Sequence, residues 1–421
     1  MNGLIENNLC SSFNRKKGQK FSSNTSSVII LVLVLFIPAA SFNFFYATII
    51  PVTFFVAILR RRLVIDIGFP RALLLYFLFL LVFSLGKSLV FGNVYDLKEL
   101  TKVLLFIMIF FTAGHIKLET FYKILLCYIT IDLILSLAEF THFYNGFTEF
   151  ISRLYHASNH AAFAKTTSSV RASGLSPGPG QHGSFSLILF VFFFTGYFFN
   201  KKNMICLIGL LFSITCIFLS QSKTVILTFV LLLVIFTLIY ALVSGFRGFV
   251  ILLVACIFFV FVVAITQDWF LETFYEIERL RNSGLEVSSM AHRMSLWGQQ
   301  VSIVLQSNII LLLFGAGRGY LSFTSTYNNS FDSDYIYVFV QFGIVGFMFS
   351  LTMLCWSISR GLFNFKRLSA VQMSILLAMI AGSIGGVSLD FISDIKIISI
   401  FAFFLAMSQH QKAVSQSLSL T

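Results

Sequence analysis

Residues 204–243 read MICLIGLLFSITCIFLSQSKTVILTFVLLLVIFTLIYALV, and this stretch decides the fold class. Two continuous apolar runs, 204–220 and 224–243, are separated only by the polar triplet 221–223. A bilayer core about 30 Å thick needs roughly 20 apolar residues in a helix. A membrane β-barrel would instead show alternating strands of about ten residues. The stretch therefore predicts two membrane-spanning helices joined by a short polar turn.

The rest of the chain has the same apolar character. Of 421 residues, 57% are hydrophobic and 11% are charged, and the mean hydropathy is +0.90. Soluble domains carry about 25% charged residues, and 53 phenylalanines are more than a water-soluble core of this size can bury. This composition excludes a cytoplasmic enzyme, a secreted domain and a disordered chain. It indicates a polytopic membrane protein.

Apolar runs recur along the whole chain and predict an all-α polytopic membrane protein with about 12 transmembrane helices. The runs lie at about 27–42, 44–59, 72–91, 99–115, 121–140, 183–199, 204–220, 224–243, 249–266, 334–357, 369–388 and 394–409. We expect a single transmembrane domain over 27–409, between a cytoplasmic N-terminal tail at 1–26 and a cytoplasmic C-terminal tail at 410–421.

The first two runs leave alternatives open. Residues 28–59 are too long for one span, and a break near Pro38 would make them two. The residues up to Ser41 also resemble a signal peptide with its cleavage site. Two spans are the expectation, because another apolar run follows at once.

Lysine and arginine in the short loops set the expected orientation, since cytoplasmic loops are enriched in them. The clusters that would share one side lie at 15–20, 60–71, 117–123, 201–202 and 360–367. Both termini are therefore expected inside. Two long loops, at about 141–182 and 267–333, are then expected outside. The second carries amphipathic stretches, which predict helices at the membrane surface.

The two long loops also hold cations that the orientation rule does not require. They are Arg153, Lys165, Arg171, Arg279, Arg281, Arg293 and Arg318. Guanidinium groups match phosphate oxygens bidentately. The outer face is therefore expected to bind a phosphate-bearing lipid or an acidic polymer, with an ordinary solvated surface as the alternative for each residue.

The first outer loop ends in RASGLSPGPGQHGS at 171–184, a segment rich in glycine and proline that leads directly into a span. The N-terminus of that span is a natural anion site. Candidate functional residues here are Arg171, Gly174 and His182, the last either a base or a residue with no part in the chemistry.

A metal site is not expected, because His156 and His160 have no convincing third ligand and the outer loops contain no cysteine. Asp132 lies within a span, where a carboxylate is costly and usually functional. Hydrogen bonding to a neighbouring helix is its alternative role.

The second outer loop carries three motifs in order: HRMSLW at 292–297, GAGRGY at 315–320 and DSDY at 332–335. The apolar run between the first two, at 309–314, is too short to span. The glycines do not form a phosphate-binding P-loop, because the Gly-Lys-Ser/Thr element is missing. Candidate residues in this loop are His292, Arg293, Trp297, Arg318, Asp332, Asp334 and Tyr335.

Together these motifs resemble the O-antigen polymerase and ligase superfamily. Arg171-x-x-Gly174 before Pro177 looks like the first outer-loop signature of that superfamily, and SQSKT at 220–224 is similar to its Ser-Arg-Thr element, with Lys223 in place of arginine. The motifs of the second loop, followed by GIVG at 343–346, occur in the order of its second outer loop. The resemblance covers about 165–350 by motif and the whole chain by topology.

The resemblance implies a metal-independent, GT-C-like glycosyltransferase that works outside the bacterial inner membrane without a cofactor. Its substrate would be an undecaprenyl-pyrophosphate-linked oligosaccharide held among membrane lipid. A chain-length regulator is the partner protein that the resemblance suggests, and no nucleic acid is implied. The enzyme must position an acceptor hydroxyl and stabilise the leaving pyrophosphate.

On this resemblance, each candidate residue receives an expected role. The expected catalytic residues are Arg171, Arg293, Asp332, Asp334 and His182, with the arginines contacting pyrophosphate and the base left open among the others and His292. The expected substrate-binding residues are Arg318, Gly174, Lys223, Trp297, Tyr335 and His292.

Two alternatives accompany polymerase activity. An O-antigen ligase would carry a key histidine late in the second loop beside an asparagine, whereas this chain has Tyr327-Asn328-Asn329 there. A flippase for lipid-linked oligosaccharide would show two related halves and short outer loops, and this sequence has neither. Both comparisons favour the polymerase.

Overall fold

A computed structural model of the chain describes residues 27–38, 104–110, 116–141, 153–155, 171–199, 203–244, 289–315, 333–365, 368–387 and 394–419, with the single positions 25, 102 and 150. Within these ranges the regular structure is helical and no strand occurs. The main helices are α1 (Leu118–Phe140), α2 (Pro179–Phe199), α3 (Met204–Leu219), α4 (Lys223–Ser244), α5 (Ser289–Leu305), α6 (Ile309–Phe314), α7 (Asp334–Phe363), α8 (Ala370–Gly385) and α9 (Ile395–Ser419).

Four helices in the described ranges, α1, α2, α4 and α7, are long and apolar enough to cross a membrane. Shorter apolar helices lie at Ser27–Phe36, at α3, at α8 and within α9. The described residues therefore confirm the all-helical prediction, and these helices have the length and composition expected of a membrane protein. The number of about 12 spans stays a prediction, because the runs at 44–59, 72–91 and 249–266 lie outside the described residues.

Helices α2 and α8 lie at the centre of the described bundle. α2 packs against α3 and α8, and α8 also contacts α4, α7 and α9. Phe192 of α2 stacks on Phe404 of α9, with the ring centroids 3.6 Å apart. The hydroxyls of Thr195 and Ser374 hydrogen-bond across the α2–α8 contact. Hydroxylated side chains and close packing hold membrane helices together, since lipid competes for apolar surface.

α2 begins at Pro179, a few residues before the predicted start of its span. Proline is well tolerated at the first helical position, because the N–H that it lacks would have no partner within the helix. His182 consequently lies in the first turn of α2 and is not a loop residue. Its backbone N–H donates to Gly178 O at 2.9 Å.

α6 is the short apolar run at 309–314, and it begins where the Asn308 side chain accepts a hydrogen bond from the Leu311 N–H at 2.9 Å. It ends at Gly315, which has a φ of 81°. It packs against α7, whose helical geometry breaks at Gly343 (φ 66°, ψ −167°). The prediction that this run forms no span agrees with a helix of six residues.

One end of the bundle collects polar contacts between helices, and we call it the polar end. There α1, α3 and α8 finish, and α2, α4, α7 and α9 begin. Three hydrogen bonds mark it: from Ala172 N to Leu219 O (3.0 Å), from Asp334 N to Gly386 O (2.9 Å) and from Lys396 Nζ to Leu175 O (2.8 Å). Motifs from both predicted outer loops therefore meet at the same end.

Helix α9 continues to Ser419, beyond the end of the predicted last span at 409. The segment expected as a C-terminal tail is thus helical up to that residue. The expected N-terminal tail falls outside the described residues except at position 25.

Candidate functional site

The C-terminal half of α1 carries a polar stripe that faces the first outer loop. Asp132, Ser136 and Glu139 recur at intervals of four and three residues, which places them on one face of the helix. Asp132 and Ser136 are fully buried. Buried carboxylates within a span require compensating partners, since their desolvation is costly.

The partners of the two carboxylates are consecutive backbone N–H groups of the loop. Ser173 N and Gly174 N donate to Glu139 Oε2 at 2.7 and 3.1 Å. Leu175 N donates to Asp132 Oδ1 at 2.7 Å. Hydrogen bonds to a charged acceptor are stronger than neutral ones. The loop after Arg171 is therefore fastened to α1 through its main chain.

Gly174 is required by both its conformation and its surroundings. Its φ is +50°, in the left-handed region that side chains disfavour. A methyl group at this position would lie 2.3 Å from Asp132 Oδ1 and 2.8 Å from Ser136 Oγ. The glycine of the Arg171-x-x-Gly174 motif thus allows the loop to approach the polar stripe of α1.

His182 lies between Asp132 and Ser136 and is fully buried. Its Nδ1 is 3.2 Å from Asp132 Oδ2, an ion-pair distance without the alignment of a hydrogen bond, and its Nε2 is 3.2 Å from Ser136 Oγ. A carboxylate on one ring nitrogen is the arrangement that orients a histidine base. Here the other ring nitrogen already contacts a serine, so the described geometry joins His182 to the polar stripe of α1.

Lys396, in the first turn of α9, completes this cluster. Its side chain is buried, its Nζ donates to Leu175 O at 2.8 Å, and its charge acts on Asp132. The ammonium also lies over the rings of Tyr128 and Tyr155, at 5.5 and 5.4 Å from the centroids. Both rings supply favourable cation–π contacts.

Tyr155, in the first outer loop, donates its hydroxyl hydrogen bond to Phe36 O. Burial raises the pKa of the Tyr155 phenol, and the negative charge of Asp132 raises it further. The phenol therefore stays protonated, as its role of donor requires.

Arg171 stands at the exposed start of the fastened loop, whereas the five residues after it are buried. The next residue, Ala172, is bonded through its N–H to the end of α3. The turn that follows α3 leads to Lys223, the first residue of α4 and partly exposed. The structure thus brings the predicted residues Arg171, Gly174, His182 and Lys223 to one region of the polar end.

Asp334 and Tyr335 belong to the first turn of α7. Asp334 is only 2% exposed, and the Tyr335 hydroxyl donates to Ser383 O of α8 at 2.7 Å. Ser333 Oγ donates to Gly386 O at 3.2 Å. The DSDY motif therefore ties α7 to α8.

The GAG and GIVG motifs meet through Gly315 and Gly343. A methyl group on Gly343 would lie 2.4 Å from Gly315 N, and one on Gly315 would lie 2.5 Å from Gly343 N. The two backbones are therefore in direct contact. Broken helices within membranes occur where the backbone is covered by protein or lines a cavity.

The remaining predicted residues of the second loop lie on α5 or outside the described residues. His292 and Arg293 are in the first half of α5, and Trp297 follows them on the same helix, partly exposed. α5 starts at Ser289 and therefore covers all three residues. Arg318 and Asp332 lie outside the described residues.

An apolar groove runs between α7, α8 and α9, with a cavity volume of about 140 Å³. Asp334, Tyr335 and Ser383 line it near the polar end, and Leu351 and Leu354 line it further along α7. A groove that is polar at one end and apolar along its length suits an aliphatic chain with a polar head.

Three of the described residues could hold a metal ion. Asp132, His182 and Cys216 each place a potential ligand atom within 4.8 Å of the others. Asp132 is already engaged by the Leu175 N–H, and the charge of Lys396 acts on both Asp132 and His182. Three ligands beside a buried cation are a poorer donor set than the usual zinc tetrad.

Sequence reasoning singled out Asp132 but missed Glu139 and Lys396. Both are charged residues within or at the edge of an apolar run, which is a signal for function or pairing in a membrane protein. Asp394 carries the same signal, and its Oδ1 accepts hydrogen bonds from the N–H groups of Lys396 and Ile397 at the start of α9 (2.8 and 3.1 Å).

Comparison with known protein families finds a match to one part of the chain. Residues 208–351 match the family model described as O-antigen ligase. This range contains α4 to α6, part of α3 and most of α7, but not the loop at 171–176. Residues 208–351 are therefore similar to the O-antigen ligase family, and the apolar helices indicate a membrane protein. No curated protein matches the chain.

Proposed function

We propose that the chain polymerises undecaprenyl-pyrophosphate-linked oligosaccharide repeat units into O-antigen on the outer side of the bacterial inner membrane. One observation carries the proposal. The loop that is fastened to α1 places the exposed Arg171 at the polar end, beside the turn to Lys223. There α4 begins, within the region that matches the O-antigen ligase family. Each lipid-linked substrate brings a pyrophosphate, which a guanidinium group can bind bidentately.

In the proposed reaction, an acceptor hydroxyl attacks the anomeric carbon of the lipid-linked donor. The new glycosidic bond forms as the bond between that carbon and the phosphate oxygen breaks, and the pyrophosphate leaves on its lipid. Arg171, Arg293 and Arg318 stabilise the negative charge of the leaving group. The hydroxyl proton passes to a base, for which Asp332, Asp334, His182 and His292 are the candidates. Gly174, Lys223, Trp297 and Tyr335 contribute to substrate binding.

The groove between α7, α8 and α9 supports the proposal that the substrate is lipid-linked. Its apolar walls offer the lipid chain a place beside the bundle, with the polar head directed to the end where Arg171 lies. The reaction requires neither a metal nor a nucleotide sugar, because the phosphoglycosyl bond supplies the free energy.

The proposed arrangement in the membrane follows from the charge of the loops. The polar end faces outwards, both termini are cytoplasmic, and residues 27–409 form one GT-C-like domain. A chain-length regulator is the proposed partner.

Ligase activity is the second candidate, because the matching family model is described as O-antigen ligase. The sequence at 327–329 lacks the histidine expected of a ligase, which favours the polymerase. A flippase is the third, less supported candidate.

Deleting the gene and separating the surface polysaccharide on a gel tests these candidates. Loss of a polymerase leaves lipid A-core with a single repeat unit. Loss of a ligase leaves bare core with polymer on its carrier, and loss of a flippase leaves bare core without external polymer. An unchanged ladder would show that the polymerase proposal is wrong.

Arginine variants test the site in the complemented deletion strain. Arg171→Ala and Arg293→Ala should each abolish the ladder at normal membrane levels, whereas Arg171→Lys should keep part of it. Arg360→Ala is the matched control, because Arg360 is an exposed arginine beside Trp356 near the opposite end of α7. A normal ladder in both Arg171→Ala and Arg293→Ala would show that neither arginine takes part in the reaction.

A further inference from the structure

We propose that Asp132, Glu139 and Lys396 are positioning residues that hold the loop at 171–176 rigid and thereby fix the place of Arg171. The inference relies on the proposed function only for what Arg171 binds. The fastening of the loop can be measured without any substrate.

Three consecutive N–H groups of the loop donate hydrogen bonds to carboxylates of α1. Those of Ser173 and Gly174 point to Glu139, and that of Leu175 points to Asp132. Successive N–H groups around a residue with positive φ form a concave anion-binding surface. In many proteins such a surface binds a phosphate. Here the anions are carboxylates of the protein's own α1, so the N–H groups of Ser173, Gly174 and Leu175 bind α1 instead of a phosphate.

The same segment also contacts a cation through a carbonyl oxygen. Lys396 donates to Leu175 O, so Leu175 has its N–H on a carboxylate of α1 and its C=O on the ammonium of α9. The ammonium offsets the negative charges of Asp394 and Asp132. A buried charge without a partner would be strongly destabilising. Leu175 therefore connects α1, the fifth predicted span, with α9, the last predicted span.

The restraint reaches Arg171 through a short chain segment. Ala172 is bonded to the end of α3, and Ser173 is bonded to Glu139, so both residues after Arg171 have fixed main chains. A side chain on a fixed backbone loses less conformational freedom when it binds a ligand. Only Arg171 is exposed in the loop at 171–176, so the restraint acts on the residue that meets the substrate.

Amide hydrogen exchange of the full-length protein in nanodiscs tests the restraint directly. Glu139→Gln keeps the size of the side chain but removes its charge, and Glu139 is only partly buried, so the fold should tolerate it. We expect exchange in a peptide covering 172–176 to become about tenfold faster, as expected when a charged acceptor is lost. Glu119→Gln on the same helix is the matched control, because Glu119 forms an exposed ion pair with Lys123 (2.7 Å). Its loop exchange should stay at the level of the unaltered protein.

The polysaccharide ladder tests whether the restraint serves Arg171. Glu139→Gln should shorten the ladder at normal membrane level in the complemented deletion strain. In an Arg171→Lys background, which keeps partial activity, the same change should have a smaller effect, because the group that it positions is already altered. A role in general stability would reduce the ladder equally in both backgrounds.

Each outcome is decisive. Unchanged exchange in Glu139→Gln would overturn the fastening of the loop by the carboxylate. Faster exchange with an unchanged ladder would overturn its role in positioning. If deletion of the gene itself left the ladder intact, the proposed function would be wrong, while the exchange measurement would still test the restraint.

Discussion

The loop at 171–176 and the contact between α6 and α7 both bring a glycine motif against a span, yet different forces hold them. Charged side chains fasten the loop: two carboxylates of α1 take its N–H groups, and Lys396 takes a carbonyl. In the α6–α7 contact, the backbones of Gly315 and Gly343 touch directly. The first contact should therefore be sensitive to charge and the second to volume.

The largest effect is expected for Gly343→Ala. The new methyl group would lie 2.4 Å from Gly315 N, and Gly343 has a φ of 66° and a ψ of −167°, a conformation almost restricted to glycine. Overpacking costs roughly 1–3 kcal/mol, and the strained backbone costs a similar amount, roughly 1–3 kcal/mol. We expect a loss of about 4 kcal/mol, measured as a fall in the thermal unfolding midpoint of the purified protein.

Gly298→Ala provides the control for that measurement. Gly298 is a helical glycine of α5, and a methyl group there would meet nothing within 4 Å. This variant should match or exceed the stability of the unaltered protein by up to about 1 kcal/mol, because alanine favours helix. A similar loss in both variants would mean that the α6–α7 contact is not limited by volume.

Lys396→Met should have the next largest effect. Removing the ammonium takes away the buried positive charge that acts on Asp394 and Asp132, together with the donor to Leu175 O, a change that costs about 3 kcal/mol in comparable sites. Adding Asp132→Asn should restore part of this loss, because one of the two carboxylates on which the ammonium acts is then uncharged. The double variant should be more stable than the sum of the two single changes by at least about 1 kcal/mol. Additive losses would argue against charge as the force that holds the loop.

Gly174→Ala should have a smaller effect than Gly343→Ala, although both add a methyl group at a positive φ. The atoms that it would meet, Asp132 Oδ1 and Ser136 Oγ, belong to side chains, whereas those at Gly343 belong to the backbone, which cannot shift without moving a helix. The left-handed conformation alone costs roughly 1–2 kcal/mol. We expect a loss in that range by thermal unfolding. A loss equal to that of Gly343→Ala would show that the loop contact is as sensitive to added volume as the α6–α7 contact.

Sequence patterns predicted the helical elements far better than their partners. The apolar runs correspond to α1, α2, α3 and α4, and the run at 309–314 is the short helix α6. The cost of a charge in lipid was enough to single out Asp132. Its partners could not be predicted, because the Lys396 bond joins residues 221 positions apart in the chain and the Glu139 bond joins residues 34 apart.

Sequence motifs also predicted where the site residues lie better than they predicted which residues these contact. Arg171, Gly174, His182 and Lys223 were chosen from local patterns, and the structure brings them to one region of the polar end. The pattern did not indicate that His182 would be buried between Asp132 and Ser136. That contact depends on how α1 and α2 pack, which no local pattern records.

The sequence by itself determined that this protein is a helical membrane protein with glycine-rich and cationic motifs between its spans. Composition and continuous apolar runs suffice for that conclusion, because the bilayer imposes its thickness and polarity on every segment independently. Only the tertiary structure decided which buried charges neutralise one another and which backbones touch. Those interactions depend on distances of a few ångströms between groups remote in the chain, and only the packing of the helices sets these distances.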